Sequence, residues 1–391
     1  MHLINQQEFR KSLLASYGAS VSQIEELLAY NQNVFKPSYL THSVKFPLPP
    51  EVHVTAWEKY TITAKKVGAF ESLKRVLVQL QFPIQEGISQ TEAYRLATRK
   101  GVPVDGVTEA TGLVLKQPEK LQLRLHQSLA GAIPVLFTEN REDFVSLVQA
   151  LFMRNEPKPI PASMGACIVS GFNNWDRIRQ YRQQWEAQQG DDCSETKWAA
   201  EFQRIIPHRE LYQDQFIILS SGFYSNVPAS DMKLSQAQWQ QLSLTIRLEH
   251  ECTHYFTRRL FSSMRNNLLD ELIADYRGIV AAIGYYRADW FLRFLGLESF
   301  PLIREEARLQ NYRGQPSLSD GAFKILQSII KAAAENLEYF DASHANELKT
   351  ANNQLLMLLA LTDLTLEELA ATQGRYYLQN SIEQWQKILC S

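Results

Sequence analysis

The chain has 391 residues, of which 45% are hydrophobic, 21% charged and 11% aromatic. This composition excludes a disordered or collagen-like polymer and suffices to bury a core without covalent staples. The 40 basic and 42 acidic side chains leave a net charge of −2, so no general attraction to nucleic acid or an anionic membrane is expected. Cys167, Cys193, Cys252 and Cys390 have no CxxC spacing and predict reduced thiols. The opening residues lack the apolar core of a signal peptide, and no stretch reaches the roughly 18 apolar residues that span a bilayer. The expectation is a cytoplasmic chain with neither a nucleic-acid nor a membrane partner.

In chain order, leucines at helical spacing predict helices over 6–17 and 21–31, with Ser20 or Ser22 as N-cap of the second. Residues 35–51, with four prolines, read as an extended connector. Helices follow at 70–80 and 91–100, strands at 121–126 and 133–137, and a helix at 142–153. The run RNEPKPIPAS, 154–163, places three prolines in five positions, which no helix interior or central strand tolerates. It predicts a boundary between a mixed α/β domain, 1–155, of unassigned role and a second domain, 156–391. In that second domain 166–170 and 216–220 read as strands and 175–188 as a helix. The sequence SSGFYSNVPAS (220–230) reads as a loop. Helices are predicted near 235–262, 267–283, 286–296, 318–339, 346–361, 365–373 and 380–389. The expected class is α+β: a mostly helical C-terminal half, with a small sheet preceding a helix pair.

Ser235-Gln236-Ala237-Gln238 has the form of a capping box. The helix it opens carries His250-Glu251-Cys252-Thr253-His254. One helical turn separates the two histidines, so both imidazoles share a face and can converge on one zinc ion. Glu251 is rotated by about 100° from His250, which suits a general base rather than a ligand. A catalytic zinc takes three protein ligands and leaves one position open. Glu271, about one turn into the next helix, is brought back near the histidines if the chain reverses at SSMRNN (262–267). Asp275, four residues on, shares its face and can accept a ring N–H from a ligand histidine. Cys252 points off the histidine face and reads as packing.

HECTH followed by DELIAD resembles the gluzincin type of HExxH zinc metallopeptidase. The resemblance covers residues 250–275. It implies His250, His254 and Glu271 as ligands of one zinc per chain, Glu251 as general base and proton shuttle, and Asp275 as the residue orienting His250. It implies a peptide or protein substrate. Tyr376, Tyr377 and His344 are candidates for stabilising the oxyanion. Residues 216–220 are either a buried core strand or the edge strand with which such peptidases align a peptide. Residues 161–178 are either a substrate wall or structure around a core Trp175. Arg258, Arg259 and Arg265 form a basic cluster, either solvated or able to meet a substrate carboxylate. Two rival readings remain. One is a di-iron carboxylate oxidoreductase, using Glu251/His254 and the echo Asp341/His344; the other is a non-catalytic zinc-binding module. Cys167, His42, His53, His126 and His208 have no chemical context in the sequence.

Overall fold

The structure, a computed structural model, describes residues 3–35, 44–190, 194–262 and 267–390. In chain order it contains α1 (Leu3–Ser16), α2 (Val21–Tyr30), α3 (Val54–Val67), α4 (Ala69–Val76) and α5 (Glu92–Lys100). The hairpin β1 (Gln122–Ser128) and β2 (Gly131–Thr138) leads to α6 (Arg141–Leu151), β3 (Ala166–Asn173), α7 (Trp175–Gln189), α8 (Glu195–Ile205) and β4 (Gln213–Ser220). The remainder is helical: α9 (Gln236–Phe261), α10 (Leu268–Ile283), α11 (Ala288–Leu295), α12 (Asp320–Ser343), α13 (Ala351–Asp363), α14 (Leu366–Ala370) and α15 (Gly374–Cys390). The class is α+β, with a helical C-terminal half and one small mixed sheet. Among the described residues no helix is long and apolar enough to cross a membrane.

Two compact units divide the chain, residues 47–222 and residues 1–46 with 223–391. The boundary expected near residue 155 falls inside the first of these. The reason is strand pairing across it. The sheet order is β1-β2-β4-β3, with β2 parallel to β4, so strands from both sides of the proline run share one sheet. Asn155 is fully buried, and its side-chain N–H groups donate to the carbonyls of Gln79 and Phe82 at 3.0 and 3.1 Å. It also accepts from the Tyr94 hydroxyl. The prolines therefore follow a pinned loop rather than a linker.

In unit 47–222, β4 lies between β2 and β3, and Phe216 to Leu219 are wholly buried. An uninterrupted apolar run is what a strand covered on both faces requires. It is the core strand, not an edge open to a peptide. Phe216 and Ile218 meet Leu136, Phe144 and Leu147 in the main cluster. Residues 161–178 supply β3 and the first turn of α7. The Trp175 indole is buried and donates to the Thr98 carbonyl at 2.8 Å, which is the core reading. Helices α3 and α8 had no expectation. The first buries Val54, Trp57 and Tyr60 at helical spacing. The second is N-capped by Ser194 and buries only Ile205, so it carries little apolar periodicity.

In the other unit the helices pack on one another, α9 on α10, α12 on α14, and α13 on α15. Trp239, Trp290, Phe294 and Tyr224 interlock beside α9. The N-terminal helices are tied in by charge. Arg10 of α1 and Asn31 both donate to the buried Glu367 carboxylate, at 3.2 and 3.0 Å. Helices α12 and α13 begin at Asp320 and Ala351, slightly later than expected, and α15 begins at Gly374, earlier.

Candidate metal centre

Local sequence builds the two helices that matter. Ser235 and Gln238 cap each other at the start of α9, and Asn267 and Asp270 do so at the start of α10, each satisfying backbone N–H groups that a first turn leaves orphaned. The two helices approach closely at Gly278. A Cβ on that residue would lie 2.7 Å from the Ile246 carbonyl oxygen. Ile246 is one turn before His250, and Gly278 is three residues past Asp275, so this close approach lies beside the site.

His250, His254 and Glu271 are buried and present one donor atom each, all within 4.8 Å of one another. The Nε2 atoms of the two histidines are 3.0 Å apart. Glu271 places Oε2 3.6 Å from His250 Nε2 and Oε1 3.6 Å from His254 Nε2. Ligand atoms at about 2.05 Å from a tetrahedral ion are about 3.3 Å from one another. The 3.0 Å between the two nitrogens and the 3.6 Å from each nitrogen to its own Glu271 oxygen are near that spacing. Two nitrogens and one carboxylate are a donor set suited to a first-row divalent ion. Among the described residues this is the only group of three His, Cys, Asp or Glu side chains that could hold one.

The surroundings fix which nitrogen faces the ion. Asp275 Oδ1 is 2.7 Å from His250 Nδ1 and also accepts from the Tyr224 hydroxyl. Burial pushes the Asp275 carboxyl up, but Arg308, His250 and these hydrogen bonds outweigh it and hold it at about 2. As an ionised acceptor, Asp275 requires Nδ1 to carry the proton, which leaves the Nε2 lone pair for a metal. Burial, then the neighbouring His250, drive the His254 imidazole well below its usual range, toward the neutral ligand form. Burial pushes the Glu251 carboxyl up, and the charges of His250, Glu271, Arg247 and Arg308 all act on it. A raised carboxyl holds a proton more readily than a free one, as a group that must take and return a proton requires.

Three side chains at the centre were not found by sequence reasoning. Tyr224 lies in the segment read only as loop, on a short 3-10 helix Tyr224–Asn226. Arg308 and Tyr312 lie on the 3-10 helix Arg308–Tyr312. Arg308 Nη2 donates to Glu271 Oε2 at 3.0 Å and to Asp275 Oδ2 at 2.6 Å. The Tyr312 hydroxyl is also hydrogen-bonded to Glu271. A tyrosine in a Gly/Ser/Asn-rich loop and an arginine in an aperiodic stretch give no signal in one sequence.

Other expectations fall elsewhere. Asp341 accepts from the Tyr276 hydroxyl and the Tyr286 N–H. His344 stacks on Phe340 and lines a separate cavity of about 270 Å³ with Tyr376, and Tyr377 meets Phe9. None of Asp341, His344, Tyr376 and Tyr377 is brought to the triad. Cys252 and Cys167 are buried, the former in α9 and the latter in β3. Arg259 lies over the Tyr255 ring at 5.6 Å, and the charge of Arg258 acts on His254. His53 precedes α3, His126 lies in β1, and His208 is exposed beside Glu210. His42, Cys193, Arg265 and residues 263–266 of the expected turn lie outside the described residues.

No curated protein matches the chain. No solved structure matches it either. A family of unknown function, DUF7005, matches residues 12–373, nearly the whole length, and the chain belongs to that family.

Proposed function

We propose that this protein is a zinc-dependent hydrolase, a metallopeptidase acting on peptide or protein substrates. The observation that carries this reading is the buried triad His250, His254 and Glu271, whose donor atoms lie within 4.8 Å of one another, with Glu251 at the adjoining helical position. Zinc held by these residues would lower the pKa of a water toward about 7 and polarise a carbonyl.

The chain's own residues supply the remainder. His250 is oriented by Asp275 and Tyr224. Glu251 Oε takes a proton from the attacking water and returns it to the leaving amine, a role its raised pKa favours. A structural site has no need of such a base, so Glu251 supports hydrolysis over a non-catalytic module.

Elemental analysis of the purified full chain tests the proposal, together with hydrolysis of an unfolded protein substrate. One zinc per chain is expected, lost when His250 and His254 are both replaced by Ala. Glu251→Gln is expected to keep the zinc and lose turnover. Two irons per chain, or full turnover in the Gln variant, would overturn it.

A further inference from the structure

The segment between α11 and α12 contributes a side chain that touches both carboxylates of α10 and the Tyr224 hydroxyl. Arg308 forks into the site. Its Nη2 bridges Glu271 and Asp275, at 3.0 and 2.6 Å. Its Nη1 donates to the Tyr224 hydroxyl at 3.1 Å and to Ser225 Oγ at 3.0 Å. The side chain is only 12% exposed. The helix that carries it is itself tied down. The Tyr30 hydroxyl donates to the Tyr312 carbonyl at 2.8 Å and accepts from the N–H of Leu268, the first residue of α10. The Tyr312 hydroxyl adds a second bond to Glu271. Arg308 is thus held in register with the helix whose carboxylates it grips.

We infer that Arg308 is a positioning residue for the metal: its fork aims Glu271 at the histidine pair and locks Asp275 against His250 Nδ1. The inference rests on the metal-site reading above. It makes a prediction of opposite sign to simple charge. A guanidinium beside a divalent cation repels it, so on electrostatics alone its removal would tighten metal binding. If the fork instead holds the ligands, removal loosens binding, by the ten- to hundredfold typical when the partners of metal ligands are lost. Lysine keeps the charge but presents no planar fork, which separates the two contributions.

The test uses the full chain, with zinc competed by a chelator. Arg308→Gln and Arg308→Lys are each expected to weaken zinc at least tenfold, and to change the visible absorption of the cobalt-loaded protein. Unchanged or tighter zinc in Arg308→Gln overturns the inference, as does wild-type affinity in Arg308→Lys or an unaltered cobalt spectrum. A loss of affinity that only follows a lower melting temperature of the metal-free protein overturns it as well. Should Arg308→Gln fail to fold, Arg308→Lys carries the test. Wild-type protein that binds no zinc removes the metal centre and this inference together. Wild-type protein that binds zinc no better than the variants removes this inference alone.

Discussion

Replacing Gly278 by Ala sets two effects of opposite sign against each other. In a helix interior Ala is favoured over Gly by roughly 0.8–1.0 kcal/mol, so propensity alone predicts a more stable protein. Packing predicts the reverse. The new Cβ would meet the Ile246 carbonyl oxygen at 2.7 Å and Ile246 Cγ2 at 3.1 Å. Comfortable carbon–oxygen contacts begin at about 3.3 Å, so α9 must recede from α10 by about 0.6 Å. Its partner there is backbone, which cannot swing away. Overpacking of this kind costs typically 1–3 kcal/mol, leaving a net destabilisation of about 0–2 kcal/mol after the propensity gain. The metal feels the movement more sharply. Its bond lengths tolerate about ±0.2 Å, and the ligands sit on the two helices being parted, about one to two turns from the clash. Zinc affinity should therefore fall tenfold or more, about 1.4 kcal/mol, even where the fold loses less. Urea unfolding of the metal-free protein and chelator competition measure the two quantities separately. A variant that gains about 1 kcal/mol and binds zinc like the wild type would refute the claim that this crossing sets the geometry of the centre.

Glu271→Ala should weaken zinc by a hundredfold or more in the same competition assay, because two histidines alone make an incomplete site; near-normal affinity would mean the third ligand lies elsewhere. Removing the metal with a chelator should lower the melting temperature, since a ligand at a hundred times its dissociation constant stabilises by about 2.7 kcal/mol; calorimetry with and without chelator decides this. For Asp275 the folded pKa is held at about 2, against 3.8 for the free side chain. A depressed carboxyl stabilises the fold above its unfolded pKa and loses that contribution as pH falls through the folded one. The drop corresponds to about 2 kcal/mol, fading between about pH 4 and pH 2. Asp275→Asn should therefore be less stable than wild type at pH 7 in the metal-free state, with the gap narrowing through that window. A gap that stays constant to low pH would show that the carboxylate charge is not what matters.

The helices of the centre were legible because periodicity is a local code. His250 and His254 share a face by the helix repeat alone, Glu271 and Asp275 do so for the same reason, and both N-termini announce themselves by caps at Ser235 and Asn267. The strands were legible as apolar runs, but their neighbours were not. Nothing in FIILS says that it pairs in parallel with residues 135–138 across a proline-rich loop, and so the domain boundary was drawn through a single sheet. Asn155, with φ of 61° and its side chain buried, is the residue that turns an apparent linker into a fixed corner. Its role depends on carbonyls more than seventy positions away. Helix α8 escaped because it buries almost nothing, and burial is what writes periodicity into sequence.

Arg308 was illegible for a different reason, which the electrostatics of the site explains. Glu271 and Asp275 are one turn apart on the same face of α10 and both buried. Two carboxylates so placed repel each other, and removing them from water without a counter-charge is far costlier than any helix propensity gains. Beside the histidines and any bound metal, the fold brings a further cation to that face, Arg308, and the helix repeat does not say from where. An arginine can arrive from any element whose backbone passes within reach, here a short 3-10 helix thirty-three positions beyond Asp275. The choice of arginine follows from the demand. A planar fork can hold one oxygen of Glu271 while leaving the other turned toward His254, and can hold Asp275 through the oxygen that His250 does not use. Asp275 is thus divided between the guanidinium and His250, one oxygen to each, while Glu271 Oε2 faces both the guanidinium at 3.0 Å and His250 at 3.6 Å. A buried acidic pair four residues apart on a helix that follows an HExxH segment is accordingly a sequence-level demand for a distant arginine, even where no motif names it.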